Sequence, residues 1–304
     1  MSRVAAIDCG TNSIRLLIAE ISQGNFRELY RTMEIVRLGQ GVDKNKSFDP
    51  AAIERTLRAT AQFSEEIARR GVTAIRFCAT SATRDAENRE LFIEGVRDIL
   101  GIEPEVISGD EEARLSFTGA ISEMHPSDSP FLVVDIGGGS TEFVFGDNEV
   151  RAAKSVNIGC VRMSERHFSQ NPISAEKLAS AIFDIDAAIA QAAEIVPIEK
   201  SKTLVAVAGT ATTVAAAALE LDEYDPHTIH LSRISAAKTA EVSQRLLSMS
   251  REEISALGYM HPGRVDVIAA GALVLDRIMR ATGASEFVAS ERDILDGIAW
   301  SLIK

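Results

Sequence analysis

The sequence predicts an α/β protein of two related domains, and three elements repeated in the same order predict it. In the first element, an apolar run at 4–7 leads into Asp8-Cys9-Gly10-Thr11-Asn12-Ser13 and a second apolar run follows at 14–21. Its counterpart is the run 131–134, which leads into Asp135-Ile136-Gly137-Gly138-Gly139-Ser140-Thr141 and then 143–145. Both read as strand, tight polar turn, strand, with Asp-x-Gly at the turn. In the second element, Asp49-Pro50 opens a helical pattern to Arg70, stopped by Gly71, and Ser174 opens another to about Val196. Asp or Ser at the N-cap and Pro at the first helical position are sound start signals. The two starts lie 41 and 39 residues after their turn aspartates. In the third element, the strand-like run 74–78 ends in Ala79-Thr80-Ser81-Ala82-Thr83, and 204–208 ends in Gly209-Thr210-Ala211-Thr212-Thr213. These lie 71 and 74 residues after the same aspartates. One such likeness arises often by chance; three in one order at nearly one spacing mark a duplication. Ser, His, Pro and Asp cluster at 122–130, so the domains are expected at 1–126 and 127–304.

Composition narrows the function classes. The 304 residues accommodate two domains of ordinary size. A 46% hydrophobic and 25% charged mix excludes general disorder. Asp+Glu exceeds Lys+Arg by 44 to 32, a formal balance of −12. That sign excludes a general binder of nucleic acid or anionic membrane, so an anionic substrate must meet local positive charge. Aromatics at 5% offer no base-stacking platform. Three cysteines, Cys9, Cys78 and Cys160, cannot all pair and form no CxxC. With no secretory leader after Met1, the expected setting is reducing and cytoplasmic. No apolar run approaches a membrane span; the stretch 204–219 is Ala/Thr/Gly-rich.

The two turns point to phosphate. Glycine turns let backbone N–H groups approach an anion closely. The second turn offers three glycines and two hydroxyls; the first offers one glycine and the polar Thr11, Asn12 and Ser13. Asp8 and Asp135 would repel a phosphate directly, which suggests a divalent cation with oxygen ligands, Mg²⁺ beside phosphate being the natural choice. Either turn alone reads more simply as a hairpin. Two at matching positions favour a phosphate cleft between the domains. Neither is a P-loop, because GxxxxGK[ST] is missing.

Two such turns with the Thr80–Thr83 and Gly209–Thr213 elements resemble the superfamily of sugar kinases, heat-shock ATPases and actin. The resemblance implies two duplicated actin-like, ribonuclease H-like domains with phosphates bound between them. Within it the chain resembles the Ppx/GppA family of exopolyphosphatases and guanosine pentaphosphate phosphohydrolases. Asp8–Arg15 (DCGTNSIR) is similar to that family's first signature, Ser108–Leu115 (SGDEEARL) to its SGxEEARL segment, and Asp135–Glu142 (DIGGGSTE) to its second phosphate signature. Ala79–Arg84 (ATSATR) and Gly209–Thr213 (GTATT) match two further elements. Cys9 stands where small aliphatic residues are usual. The chain ends at Lys304, without the C-terminal helical domains of longer relatives, so limited processivity is expected.

The resemblance implies that Glu112 is catalytic and that Arg84 contacts phosphate. Glu111 and Glu112 precede a helical pattern, and neighbours on a helix point about 100° apart, so at most one of the two faces the site. Glu111 is left as a helix-start charge. Glu142 follows the glycine turn and is a candidate for catalysis and for metal, together with Asp8 and Asp135. Thr11, Asn12, Ser13, Gly137, Gly138, Gly139, Ser140 and Thr141 are the candidate phosphate contacts. Arg264, in the turn His261-Pro262-Gly263-Arg264, is a further candidate; strand alternation leaves Arg15 open. The cysteines read as small packing residues, and His227 and His230 as turn histidines. The Ala-rich helix from 175 reads as core, and Trp300 as an anchor for the last helix.

The expected function is Mg²⁺-dependent removal of the terminal phosphate from inorganic polyphosphate, with Glu112 acting on water. The same chemistry on guanosine pentaphosphate or a nucleoside triphosphate is the near alternative. An ATP-dependent kinase or ATPase and a non-catalytic polyphosphate or nucleotide sensor are the further ones. A homodimer is left open.

Overall fold

The computed structural model describes residues 2–22, 25–168 and 173–302. Met1 and Lys304 lie outside them.

The apolar runs before the two turn aspartates become central strands because both of their faces are buried. Residues 4–7 and 131–134 are all inaccessible to solvent or nearly so. Among the described residues eleven strands form in chain order: β1 (Ser2–Cys9), β2 (Ser13–Ser22), β3 (Asn25–Ile35), β4 (Ala74–Ala79), β5 (Glu105–Val106), β6 (Phe131–Ile136), β7 (Thr141–Gly146), β8 (Val150–Val156), β9 (Thr203–Val207), β10 (Arg233–Ser235) and β11 (Glu286–Ala289). The first sheet runs β3-β2-β1-β4-β5 and the second β10-β11-β9-β6-β7-β8. In each, three antiparallel strands adjoin parallel neighbours: β1 pairs with β4 as β6 pairs with β9. The second sheet thus repeats the first and adds β10 at its edge. This is the duplicated, ribonuclease H-like α/β fold that the sequence predicts.

Register carries the repeat down to single residues. Asp8 lies opposite Arg15, and Asp135 lies opposite Glu142. The duplicated turns therefore share an aspartate and differ in its partner, basic in one copy and acidic in the other. The crossover helices start where predicted. Asp49 accepts from the N–H groups of Ala51 and Ala52 ahead of Pro50–Arg69, and Ser174 accepts from Lys177 ahead of Ala175–Ala193. The latter buries Ala181, Ile185, Ile189 and Ala192 but leaves Phe183 exposed, so only one side of it is core.

Backbone contacts divide the chain into residues 1–119 with 294–304 and residues 120–293. The first break falls ahead of the Ser/His/Pro/Asp cluster, and the last helix, Ile294–Ser301, joins the first unit rather than the second. Packing explains that. Ile294, Leu295, Ile298 and Ala299 cover Ala6, Leu17 and Cys78 on one face of the first sheet. A Cβ on Gly297 would lie 1.9 Å from the Leu115 carbonyl oxygen, so only glycine lets this helix approach Gly109–Ala120 so closely. Trp300 stacks on Phe26 with ring centroids 5.1 Å apart, the anchor the sequence suggested. Buried Asp296 receives Arg31 at 2.6 Å, across 265 residues of chain. Asp296→Ala should cost about 2 kcal/mol, the scale of a charge-assisted hydrogen bond left half-made. Urea denaturation measures this, and an unchanged midpoint would mean the pair does not hold the helix.

No helix among the described residues is long and apolar enough to cross a membrane.

Candidate active site

In the second unit the glycine turn between β6 and β7 is oriented by what lies behind it. Its carbonyls are all taken. Cys160 N–H donates to the Gly137 carbonyl at 2.9 Å, Val161 and Arg162 N–H to that of Gly138 at 2.9 and 3.1 Å, and Gly159 N–H to that of Gly139 at 3.3 Å. The Arg162 side chain adds a bond from Nε to the Gly139 carbonyl at 2.6 Å. A trans peptide points its N–H opposite its C=O. The N–H groups of Gly138, Gly139 and Ser140 therefore point together, away from the helix Cys160–His167. None of the three donates to another group among the described residues. Three convergent backbone donors form a nest for an anion.

Beside this turn, Asp135 and Glu142 are cross-strand neighbours with both side chains on one face of the sheet. Both are buried. Ser155, opposite Glu142 on β8, donates to Glu142 Oε1 at 2.7 Å and fixes that carboxylate.

The Gly209–Thr213 element opens the helix Ala208–Ala218 directly after β9. Its entry residue, Ala208, has φ +66°, a strained value for alanine. No side chain caps the helix start. The Arg264 guanidinium lies across it: a Cβ on Gly209 would sit 2.4 Å from Arg264 Cζ, and Arg264 Nη1 donates to Thr213 Oγ1 at 3.1 Å. Tyr224 links Thr212 and Glu291 through hydrogen bonds of 2.7 and 2.6 Å. Burial and the Glu291 carboxylate push the Tyr224 hydroxyl well above its ordinary pKa.

In the first unit the equivalent turn uses the same device with less glycine. Gly10 N–H bonds to the Ser13 carbonyl at 2.9 Å, as Gly137 N–H bonds to that of Ser140 at 3.0 Å. The Thr11 carbonyl accepts from Gly39, and the Asn12 carbonyl from Val36 and Arg37. The N–H groups of Asn12 and Ser13 are thereby turned the other way. Thr11 Oγ1 and Thr83 Oγ1 are buried and have no hydrogen-bond partner among the described residues. The Thr11 hydroxyl, in the turn itself, is thus left to a polar ligand.

Glu112 sits in the first turn of Gly109–Ala120 and is buried. Arg84 Nη1 bonds to its Oε2 at 2.6 Å and to the Ile107 carbonyl at 3.0 Å. Thr80 also favours its charged form. Burial pushes the Glu112 carboxyl above the ordinary glutamate value; the nearby Asp8 charge adds to this, and Arg84 and Thr80 oppose it. Glu111 points elsewhere, to Arg76 at 3.0 Å, which also holds Glu105 and Ser301. The helix geometry separates the two glutamates as predicted. Asp8 accepts from Arg15 Nη2 at 2.7 Å and Nε at 3.0 Å, so Arg15 points to the aspartate and not to the opposite face.

Within unit 1 the structure brings Arg84 and Glu112 together and sets Asp8 close enough to act on Glu112; within unit 2 it brings Asp135, Glu142 and the glycine turn together and seats Arg264 on the Gly209 element. Arg84 is held by a carboxylate and a carbonyl, where the resemblance implies phosphate. His230 is no simple turn histidine: it pairs with Glu123 at 3.0 Å and accepts the Glu291 N–H at 3.2 Å. Sequence reasoning missed Arg162, Ser155, Thr80 as a partner of Glu112, and the Tyr224–Glu291 link. Each acts on a residue distant in the chain, and only the β7–β8 alternation could have signalled Ser155.

The residues fit a divalent cation in one respect. Asp135 and Glu142 are two hard oxygen donors on one face, and Mg²⁺ is commonly held by one or two carboxylates plus substrate phosphates. Among the described residues no three His, Cys, Asp or Glu side chains gather as a ready cage. Asp8, already bonded to Arg15, fits a role through water better than direct ligation.

Similarity to known proteins agrees with this chemistry. An exopolyphosphatase 2 of Mycobacterium tuberculosis is 45% identical over 99% of both chains. A solved structure described as an exopolyphosphatase-like protein is 43% identical, covers 98% of both chains and superimposes with a TM-score of 0.94. The Aquifex aeolicus member of the Ppx/GppA family is 28% identical, over 99% of this chain and 97% of that one, with a TM-score of 0.83. The family model for Ppx/GppA phosphatases matches residues 17–304, and with the two signature turns folded as described, the chain belongs to the Ppx/GppA phosphatase family.

Proposed function

We propose that this chain is an exopolyphosphatase, a phosphoanhydride hydrolase that removes the terminal phosphate of inorganic polyphosphate with water. The observation that carries this is the set of three parallel N–H donors at Gly138, Gly139 and Ser140, which suits the oxygens of one phosphoryl group. The full-length similarity to an exopolyphosphatase supports the substrate class.

Each residue has a role in that reaction. The glycine turn and the Ser140 and Thr141 hydroxyls hold the terminal phosphoryl group; Thr11, Asn12 and Ser13 supply further donors. Arg264 offers charge to phosphates further along the chain. Glu112 orients the attacking water and accepts its proton as the new P–O bond forms. The bridging P–O bond breaks, and its electron pair leaves with the shortened chain. Arg84 holds the carboxylate for that task. Asp135 and Glu142 would hold Mg²⁺. The bound ion supplies neutralisation of the charge on the phosphoryl oxygens. Preorganised donors commonly contribute more than any other effect to such catalysis. Three buried thiols free of disulfides suit a reducing cytoplasm.

Phosphate release from long-chain polyphosphate, guanosine pentaphosphate and ATP, each with and without Mg²⁺, tests this. Release from polyphosphate that EDTA abolishes is the expected result. Release from the nucleotides alone would transfer the assignment to guanosine pentaphosphate or nucleoside triphosphate, and release from none would overturn it.

A further inference from the structure

Arg162 is buried, which is a costly place for a guanidinium. Methionine or leucine would fill similar space at less cost, so packing alone does not explain it. Its side chain reaches the one turn carbonyl that the helix start serves poorly. Gly159 N–H meets the Gly139 carbonyl at 3.3 Å, whereas Arg162 Nε meets it at 2.6 Å. That carbonyl shares a peptide unit with the Ser140 N–H, the third donor of the nest. A cation bonded to the oxygen fixes the plane of this peptide. It also polarises the unit, making the Ser140 N–H a stronger donor.

We propose that Arg162 is a positioning residue for phosphate binding, acting through the Gly139 carbonyl on the Ser140 N–H. It touches no substrate. The proposal rests on the glycine turn being the phosphate cradle.

The test compares Arg162→Met, Arg162→Gln and Arg162→Lys with the wild type. It reads KM and kcat for polyphosphate, the inhibition constant of inorganic phosphate, the pH profile of kcat and the thermal midpoint. Arg162→Met should raise KM and the phosphate inhibition constant in parallel, by about tenfold or more, the scale of one charge-assisted hydrogen bond. The pH profile should keep its shape, because Glu112 is untouched. Arg162→Lys, which keeps a cationic donor, should restore both constants. Wild-type constants in Arg162→Met would overturn the proposal, as would Arg162→Lys being as impaired as Arg162→Met. If Arg162→Met does not fold, Arg162→Gln decides: it keeps a donor without the charge, and wild-type constants there overturn the role of the cation. Gly138→Ala separates the two levels. It puts a methyl group on a residue that carries one of the donors, so an unchanged phosphate inhibition constant in that variant would remove the turn from phosphate binding altogether. A raised constant there, with wild-type values in Arg162→Met, would remove Arg162 alone.

Discussion

Glu112→Gln is expected to lower turnover on polyphosphate by about 10²–10⁴, the usual weight of an acid–base residue. Glutamine keeps an oxygen acceptor for Arg84 but cannot take a proton from water. Steady-state phosphate release measures the loss, and near-native turnover in a folded variant would take Glu112 out of the mechanism. Burial also sets a pH signature. The carboxyl is held above its ordinary value, so the acid limb of kcat/KM should lie above the normal glutamate range. Arg84→Met should move that limb further up, because burial and Asp8 both act upward and lose their main opponent. Stability follows the same sign. A carboxyl raised on folding contributes stability below its unfolded value and loses it as pH climbs through the folded value. Glu112→Gln never ionises, so its stability relative to wild type should rise across that window. A thermal midpoint that falls instead would show that the Arg84 pair outweighs burial.

Gly159→Ala should damage turnover severely while touching no charged group. At φ −77° the position tolerates any side chain by backbone conformation, so space alone decides. The new Cβ would lie 2.3 Å from both C and O of Gly138 and 2.5 Å from N of Gly139. Backbone cannot swing aside as a side chain can, so the turn must move. Overpacking of this kind costs about 1–3 kcal/mol. Misaligning even one preorganised donor lowers turnover by about 10²–10³. Gly95→Ala is the control. Its Cβ would come within 2.5 Å of Leu57 Cδ1, the far end of a flexible side chain, on a helix away from either turn. Turnover should survive Gly95→Ala and collapse in Gly159→Ala. Equal turnover in the two would show that the position of the glycine turn is not limiting.

The duplicated sheets, the two turns, the helix starts at Asp49 and Ser174, and the divergence of Glu111 from Glu112 were all legible in the sequence, whereas the choice of Glu112 rested on the family resemblance. Each depends on neighbours within a few residues, where alternation, capping and the helical repeat act directly. Asp-x-Gly at the end of an apolar run is such a local pattern, and it located both turns. The tertiary structure alone decided which groups orient those residues. Arg162 serves a carbonyl 23 residues back, Arg84 meets Glu112 across 28 residues, and Asp296 draws the last helix to Arg31 across 265. No local pattern encodes such pairs, because a side chain's partner across the chain is set by strand register and helix packing. Those come into being only when apolar faces close over one another.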